Sequence, residues 1–172
     1  MSRLPAVLAR RRVPLGFAAA AITLVLAQPT WITWSAGFLI ALAGECVRIW
    51  AAGHLEKGRE VTRSGPYRFV GHPLYLGSTV IARGIAMAAR SLAVAVLVAI
   101  YMTVTIAAAI RTEELELRRA FGSVYDDYRS SRGAPMVRRF SLRRAISNRE
   151  HRAIVGLLGG FALLALKVAA GR

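Results

Sequence analysis

Residues 74–110 read LYLGSTVIARGIAMAARSLAVAVLVAIYMTVTIAAAI, two apolar runs with almost nothing between them. The first run covers residues 74–89 and the second 91–110. Each approaches the length a helix needs to cross a bilayer at about 1.5 Å rise per residue. The join at Ala89-Arg90-Ser91 is too short for anything but an antiparallel helical hairpin. In hydrocarbon every backbone amide needs an internal partner, and a helix supplies one for each.

Outward from this hairpin the same pattern repeats. Residues 31–52 form a second apolar run upstream, and residues 153–170 a last one downstream. At the N-terminal end, residues 13–27 are almost wholly apolar and stop at the breaker Gln28-Pro29-Thr30. That first run is short for a span and needs Trp31 or Trp34 at the interface, or local thinning of the bilayer. A basic leader before such a run also fits a cleavable signal peptide. The spans that follow, and the absence of a clear small-residue cleavage site before Gln28, favour a retained helix. The expectation is an all-α polytopic membrane bundle of about five transmembrane helices with a cytoplasmic cofactor pocket. It forms a single domain over residues 1–172, with a motif-bearing core at about 45–130 and the last transmembrane helix at 153–170.

Composition agrees. Of 172 residues 55% are hydrophobic, yet 24 Lys and Arg face only 9 Asp and Glu, for a net charge of +15. The apolar and basic residues fall in separate blocks, as in multi-spanning proteins. No internal repeat is evident. The arginines flank apolar segments instead of lining one helix face among aromatics, which excludes nucleic acid as the expected partner. Anionic lipid headgroups suit juxtamembrane arginines better. With the N-terminus in the cytoplasm, residues 1–12, 53–73 and 111–152 lie inside. Together with Arg48 these regions hold 20 of the 24 basic residues, as the positive-inside rule requires. The C-terminus is then outside. Cys46, the single cysteine, is expected to be a small packing residue, with no disulfide and no metal site. Glu45 and Arg48 share a helix face at i,i+3. Arg83, inside the third span, is either functional, paired with Glu45, or snorkelling.

Two motifs lie at ends of spans predicted to be cytoplasmic. The first runs from Arg59 to Gly77 and contains Gly65-Pro66-Tyr67 and Gly71-His72-Pro73-Leu74-Tyr75-Leu76-Gly77. Gly65-Pro66 makes a turn, and Pro73 can open a helix because its missing N–H is unpaired there anyway. His72 then sits at the N-cap, and the free amides of the first turn offer a carboxylate site. An ordinary loop-to-helix junction with an interfacial tyrosine reads the same residues equally well. The second motif is Arg111-Thr112-Glu113-Glu114-Leu115, then Phe121-Gly122 and on to Tyr125 and Tyr128. Carboxylates at such a boundary bind the ammonium or ribose of a cofactor, or pair with Arg111, Arg118 and Arg119. His54 and His151 carry no motif and read as surface residues.

Taken in order, these pieces resemble the isoprenylcysteine carboxyl methyltransferases and their phospholipid methyltransferase relatives. The shared pattern is a Gly-x-Tyr turn, Arg-His-Pro-x-Tyr-x-Gly, a helical hairpin, Glu-Glu, and Phe-Gly-x-x-Tyr-x-x-Tyr. It covers about residues 45–130, and 40 residues separate His72 from Glu113 with no gap against the family's spacing. The resemblance implies S-adenosylmethionine held by Arg59, Glu60, Val61, Thr62, Tyr67, His72, Pro73, Leu74, Tyr75 and Glu113. It implies a lipophilic methyl acceptor entering from the bilayer. Glu114 and Arg111 are the candidate catalytic residues, Glu114 as proton acceptor if the acceptor must be deprotonated. No metal site is expected and oligomeric state is not legible. Nothing resembles the glycine-rich loop of soluble methyltransferases.

Two departures matter. Gly71 stands where the pattern has arginine before His-Pro. Ala109 stands where the prenylcysteine enzymes place an arginine that pairs with the substrate carboxylate. Arg111 lies about 200° around a helix from Ala109 and cannot replace it. A neutral, amine, thiol or hydroxyl acceptor is therefore as plausible as a carboxylate. An inactive membrane scaffold that keeps the fold is the competing expectation, with Gly71 and Ala109 as its symptoms.

Overall fold

The computed structural model describes residues 4–130 and 136–171, with side chains from residue 14 onward. The side chains of the basic leader, and Arg132 and Arg172, lie outside the described residues.

Among the described residues seven helices are present: α1 (Leu4–Leu26), α2 (Trp31–Ala52), α3 (Pro73–Ala89), α4 (Leu92–Phe121), α5 (Ser123–Arg129), α6 (Leu142–Ser147) and α7 (Glu150–Ala169), with a 3-10 turn at Gly65–Arg68. No strand occurs among the described residues, and the all-α expectation holds. Helices α2, α4 and α7 are long and apolar enough to cross a membrane by length and composition. The apolar part of α1, Pro14–Leu26, and the 17-residue α3 are shorter, and both pack into the same bundle. Helix α1 begins well before residue 13, so the leader continues the helix instead of preceding it.

Local chemistry sets the boundaries. Thr30 and Thr33 form a reciprocal capping box that starts α2, which is what the breaker at Gln28-Pro29-Thr30 prepares. Arg90 adopts the left-handed region at φ 47° and ends α3. Ser91 Oγ then accepts from the Val94 amide to start α4. The hairpin read from residues 74–110 is thus turned in two residues.

Helices α2 and α3 form the most extensive contact in the bundle. Gly37 meets Gly84, and Gly44 meets Gly77, so closely that a methyl added at any of the four would collide with the facing backbone carbonyl. Small residues permit such an approach between membrane helices, where packing replaces the hydrophobic effect. An aromatic cluster ties α2 to α7. Trp34 stacks on Phe38 at 5.3 Å, both rings meet Phe161 edge-on, and the indole N–H donates to the Phe161 carbonyl at 2.8 Å. Lys167 Nζ donates to the Leu24 and Val25 carbonyls at 2.6 and 2.9 Å, close to the favourable position for a cation at the end of α1. Large apolar side chains such as Ile32 and Leu92, each 81% exposed, face outward, as lipid-facing positions do.

Two expectations change, and one of the three alternatives for Arg83, pairing with Glu45, falls away. Cys46 is exposed, not packed inside. His54 is buried, its Nδ1 3.1 Å from Ser64 Oγ and its ring near Phe140; the segment after α5 folds back over it. Arg83 is exposed and has no partner among the described residues, because Glu45 lies beside Arg48 at 3.7 Å and Arg48 turns to Glu150 at 2.9 Å.

Candidate active site

Helix α4 does not stop at the apolar boundary. It runs 30 residues, and the part beyond residue 110 carries Glu113 and Glu114 past the apolar zone. Helix α3 opens beside it with Pro73 at its first position and His72 at the N-cap. The hairpin connection lies at the far end, so the start of one arm and the end of the other come together. His72 Nδ1 lies 3.6 Å from Glu113 Oε2, and Nε2 lies 3.5 Å from Glu114 Oε1. An imidazole with a carboxylate at each nitrogen can donate to both only when doubly protonated. The Glu113 hydrogen bond leads in holding the His72 pKa above its ordinary value, against burial. Burial raises the Glu113 pKa, but hydrogen bonds from His72 and Tyr75 outweigh it and the net shift is downward. The His72 and Tyr75 rings lie 5.7 Å apart.

These residues border a cavity of about 390 Å3, inside the range that encloses small molecules of cofactor size. The loop after α2 supplies Glu60, Val61 and Thr62; the 3-10 turn supplies Tyr67; α3 supplies His72, Pro73, Leu74 and Tyr75; α4 supplies Glu113. Nine of the ten residues assigned to cofactor binding thus line one space. Arg59 does not: its guanidinium is 84% exposed and lies 3.8 Å from Glu56. Arg111 is also outside, because α4 lines the cavity with Ala109, Thr112, Glu113, Glu116 and Leu117, a helical stripe that leaves position 111 exposed on another face. Glu114 does not line it either. It sits behind His72 and takes an ion pair from Arg129 at 2.9 Å. The arginines that offered an ordinary explanation for Glu113 are engaged elsewhere or exposed; Arg118 pairs with Asp126 at 3.3 Å.

A phospholipid methyltransferase family model matches residues 15–124. The chain belongs to this family. Its members are membrane methyltransferases, and the resemblance read from the ordered motifs holds. No curated protein and no solved structure matches the chain.

Within this family member, several cavity residues carried no assignment from sequence. Gly122, at φ 50°, reverses the chain between α4 and α5, a conformation glycine reaches without steric cost. Helix α5 therefore folds back, Tyr125 and Tyr128 line the cavity, and the Tyr128 hydroxyl donates to the Tyr67 carbonyl at 2.9 Å. Burial raises the pKa of Tyr67, Tyr125 and Tyr128, so all three stay neutral. The i,i+3 spacing of Tyr125 and Tyr128 after Phe121-Gly122 was the available signal. Lys57 also lines the cavity, and no motif marks it. The first turn of α3 offers less than expected: the Tyr75 and Leu76 amides both donate to the His72 carbonyl, which leaves Leu74 as its amide without a backbone acceptor among the described residues.

The loop that carries Glu60 is held from outside. Arg138 donates to both Glu60 oxygens, at 2.6 and 2.8 Å. Arg144 donates to the Gly53 carbonyl at 2.8 Å, and Asn148 to the Ala52 and Leu55 carbonyls at 2.9 and 3.0 Å. These contacts satisfy carbonyls at and just beyond the end of α2 and hold residues 136–148 over the loop.

Proposed function

We propose that this protein is an S-adenosylmethionine-dependent membrane methyltransferase acting on a lipophilic acceptor. The observation that carries the reading is the meeting of His72, Tyr75 and Glu113, from the two ends of a helical hairpin, on one cavity of about 390 Å3.

The donor set suits the cofactor. A zwitterionic amino-acid end needs both charges met, and Glu113, Glu60 and Lys57 line the same space. An adenosine needs flat apolar surface, which Tyr67, Tyr75, Leu55 and Leu117 supply. When bound, the cofactor supplies an electrophilic methyl group on a sulfonium, so the protein needs no nucleophile of its own. Glu113 holds the ammonium or ribose. His72, whose two carboxylates favour its protonated form, fixes Glu113. Glu114 acts through His72 and Arg129 as a positioning residue, and Arg111 has no role. Tyr67 and Tyr128 exclude water and align the reacting atoms, the main source of acceleration in such a displacement. The pocket faces the cytoplasm, where the positive-inside count puts residues 53–73 and 111–152.

Incubation of the purified chain with methyl-labelled S-adenosylmethionine and total membrane lipid extract tests the function. Label in an organic-soluble product that disappears in Glu113→Gln is expected. No labelled lipid from any extract contradicts an enzyme and favours a scaffold.

A further inference from the structure

Residues 136–148, which fold over the Glu60 loop as a strap, also have an outer face. Residues 131–152 carry seven arginines and one carboxylate, Glu150, and Glu150 is buried against Arg48 at 2.9 Å. Two of the arginines turn inward: Arg138 grips Glu60, and Arg144 reaches the Gly53 carbonyl. Arg139, Arg143, Arg149 and Arg152 are exposed. Large apolar side chains share that exposure, Val137 at 99%, Leu142 at 62% and Ile146 at 54%. Leu142 and Ile146 lie on one face of α6 at i,i+4 spacing, while Ala145 turns inward. Two spans set the level of this face. Asn148 donates to the Ala52 carbonyl at the end of α2, and α7 begins at Glu150. Both α2 and α7 are long and apolar enough to cross a membrane. Arg149, in the left-handed region at φ 65°, breaks the chain between α6 and α7, so α6 is not a continuation of the span. The strap therefore lies where two spans leave the hydrocarbon.

Apolar side chains interleaved with arginines make a poor solvent face and an ordinary interfacial one. An acidic leaflet meets both demands. The acyl boundary takes Val137, Leu142 and Ile146, and headgroup oxygens take the guanidiniums. Zwitterionic headgroups meet only the first, since seven arginines against one carboxylate leave a surplus of six positive charges in residues 131–152. A nucleic acid would match the charge but not an apolar face held at the membrane boundary. We propose that the outer face of residues 136–149 docks on anionic lipid headgroups, and that docking fixes the Glu60 wall of the first cavity. The link is direct along the chain. Arg139 adjoins Arg138, and Arg143 adjoins Arg144, so each outward arginine neighbours one that holds the loop after α2. A headgroup that immobilises the first restrains the second. The inference rests on membrane insertion and on the strap's contacts, and it stands apart from the methyl-transfer reading.

The test is hydrogen–deuterium exchange of the full chain in nanodiscs of phosphatidylcholine, with and without phosphatidylserine. Each arginine at an acidic surface contributes about a fivefold preference. Exchange at residues 136–148 should therefore slow roughly tenfold or more when phosphatidylserine is present, and residues 53–64 should slow with them. High salt should reverse both effects in the unaltered chain. The double variant Arg139→Gln, Arg143→Gln should abolish them while its exchange in phosphatidylcholine alone stays at the wild-type rate. Equal exchange in the two lipids, or slowing that survives salt, overturns the docking surface. Slowing retained in the double variant overturns the assigned face, and slowing at 136–148 without 53–64 overturns the link to Glu60. If the double variant already exchanges faster in phosphatidylcholine, its fold is disturbed and the salt reversal in the unaltered chain decides. The cofactor is absent throughout, so failure of the methyltransferase reading leaves this measurement intact.

Discussion

At the scale of single residues, His72 is the joint of the site. Its contacts at 3.5 and 3.6 Å to two carboxylates are both hydrogen bonds only in its protonated form. Because its folded pKa is raised, the stabilisation is fully present below the unfolded value near 6.5 and is lost as pH rises through the folded value. His72→Gln should therefore destabilise by about 1 kcal/mol near pH 6, with a smaller difference in alkaline buffer; thermal melts of both proteins across pH measure it. The sequence put His72, Tyr75 and Glu113 at the ends of two helices, and the structure brings all three to one cavity. Arg59 and Arg111 do not line the cavity, because a motif says which residues are close in sequence and not which face of a helix or loop turns inward. His54 was read as exposed because nothing nearby announces that residues 136–148 return to cover it.

Individual elements carry the next level of the account. The α2–α3 contact depends on glycines facing backbone, so Gly44→Leu should force the helices apart. Overpacking of this kind costs about 1–3 kcal/mol, and the expected readout is a matching loss of unfolding free energy in a detergent-stable preparation, with Gly156→Leu as an unaffected comparison. The strap over residues 53–64 predicts a different effect. Arg138→Ala removes two hydrogen bonds to Glu60 without touching the cavity wall, and should weaken S-adenosylmethionine binding by about threefold to tenfold while speeding proteolysis of that loop. Wild-type affinity in Arg138→Ala would mean the strap does not order the site. The span-like elements were legible because apolar runs and breakers mark them. The strap was not: its bonds go to backbone carbonyls and one carboxylate from scattered arginines, a pattern that has no period to read.

For the molecule as a whole, folding turns a local hairpin into a shared pocket. One arm brings a helix start, the other a helix that outruns the apolar zone, and α5 turns back at Gly122 to close over them. If α1 and α3 cross together with α2, α4 and α7, the count is five and the termini lie on opposite sides. With the basic regions inside, a cysteine-reactive, membrane-impermeant label should reach a C-terminal tag from outside in intact cells and leave an N-terminal tag unmodified. Labelling of both tags from one side would remove either α1 or α3 from the set of crossings.

Calorimetric titration of S-adenosylmethionine into the purified chain tests the central claim most directly. Saturable binding is expected, weakened at least about tenfold by either His72→Ala or Glu113→Gln and unchanged by Arg59→Ala and Arg111→Ala. Absence of binding, or binding indifferent to positions 72 and 113, would contradict a nucleotide pocket shared by the two ends of the hairpin.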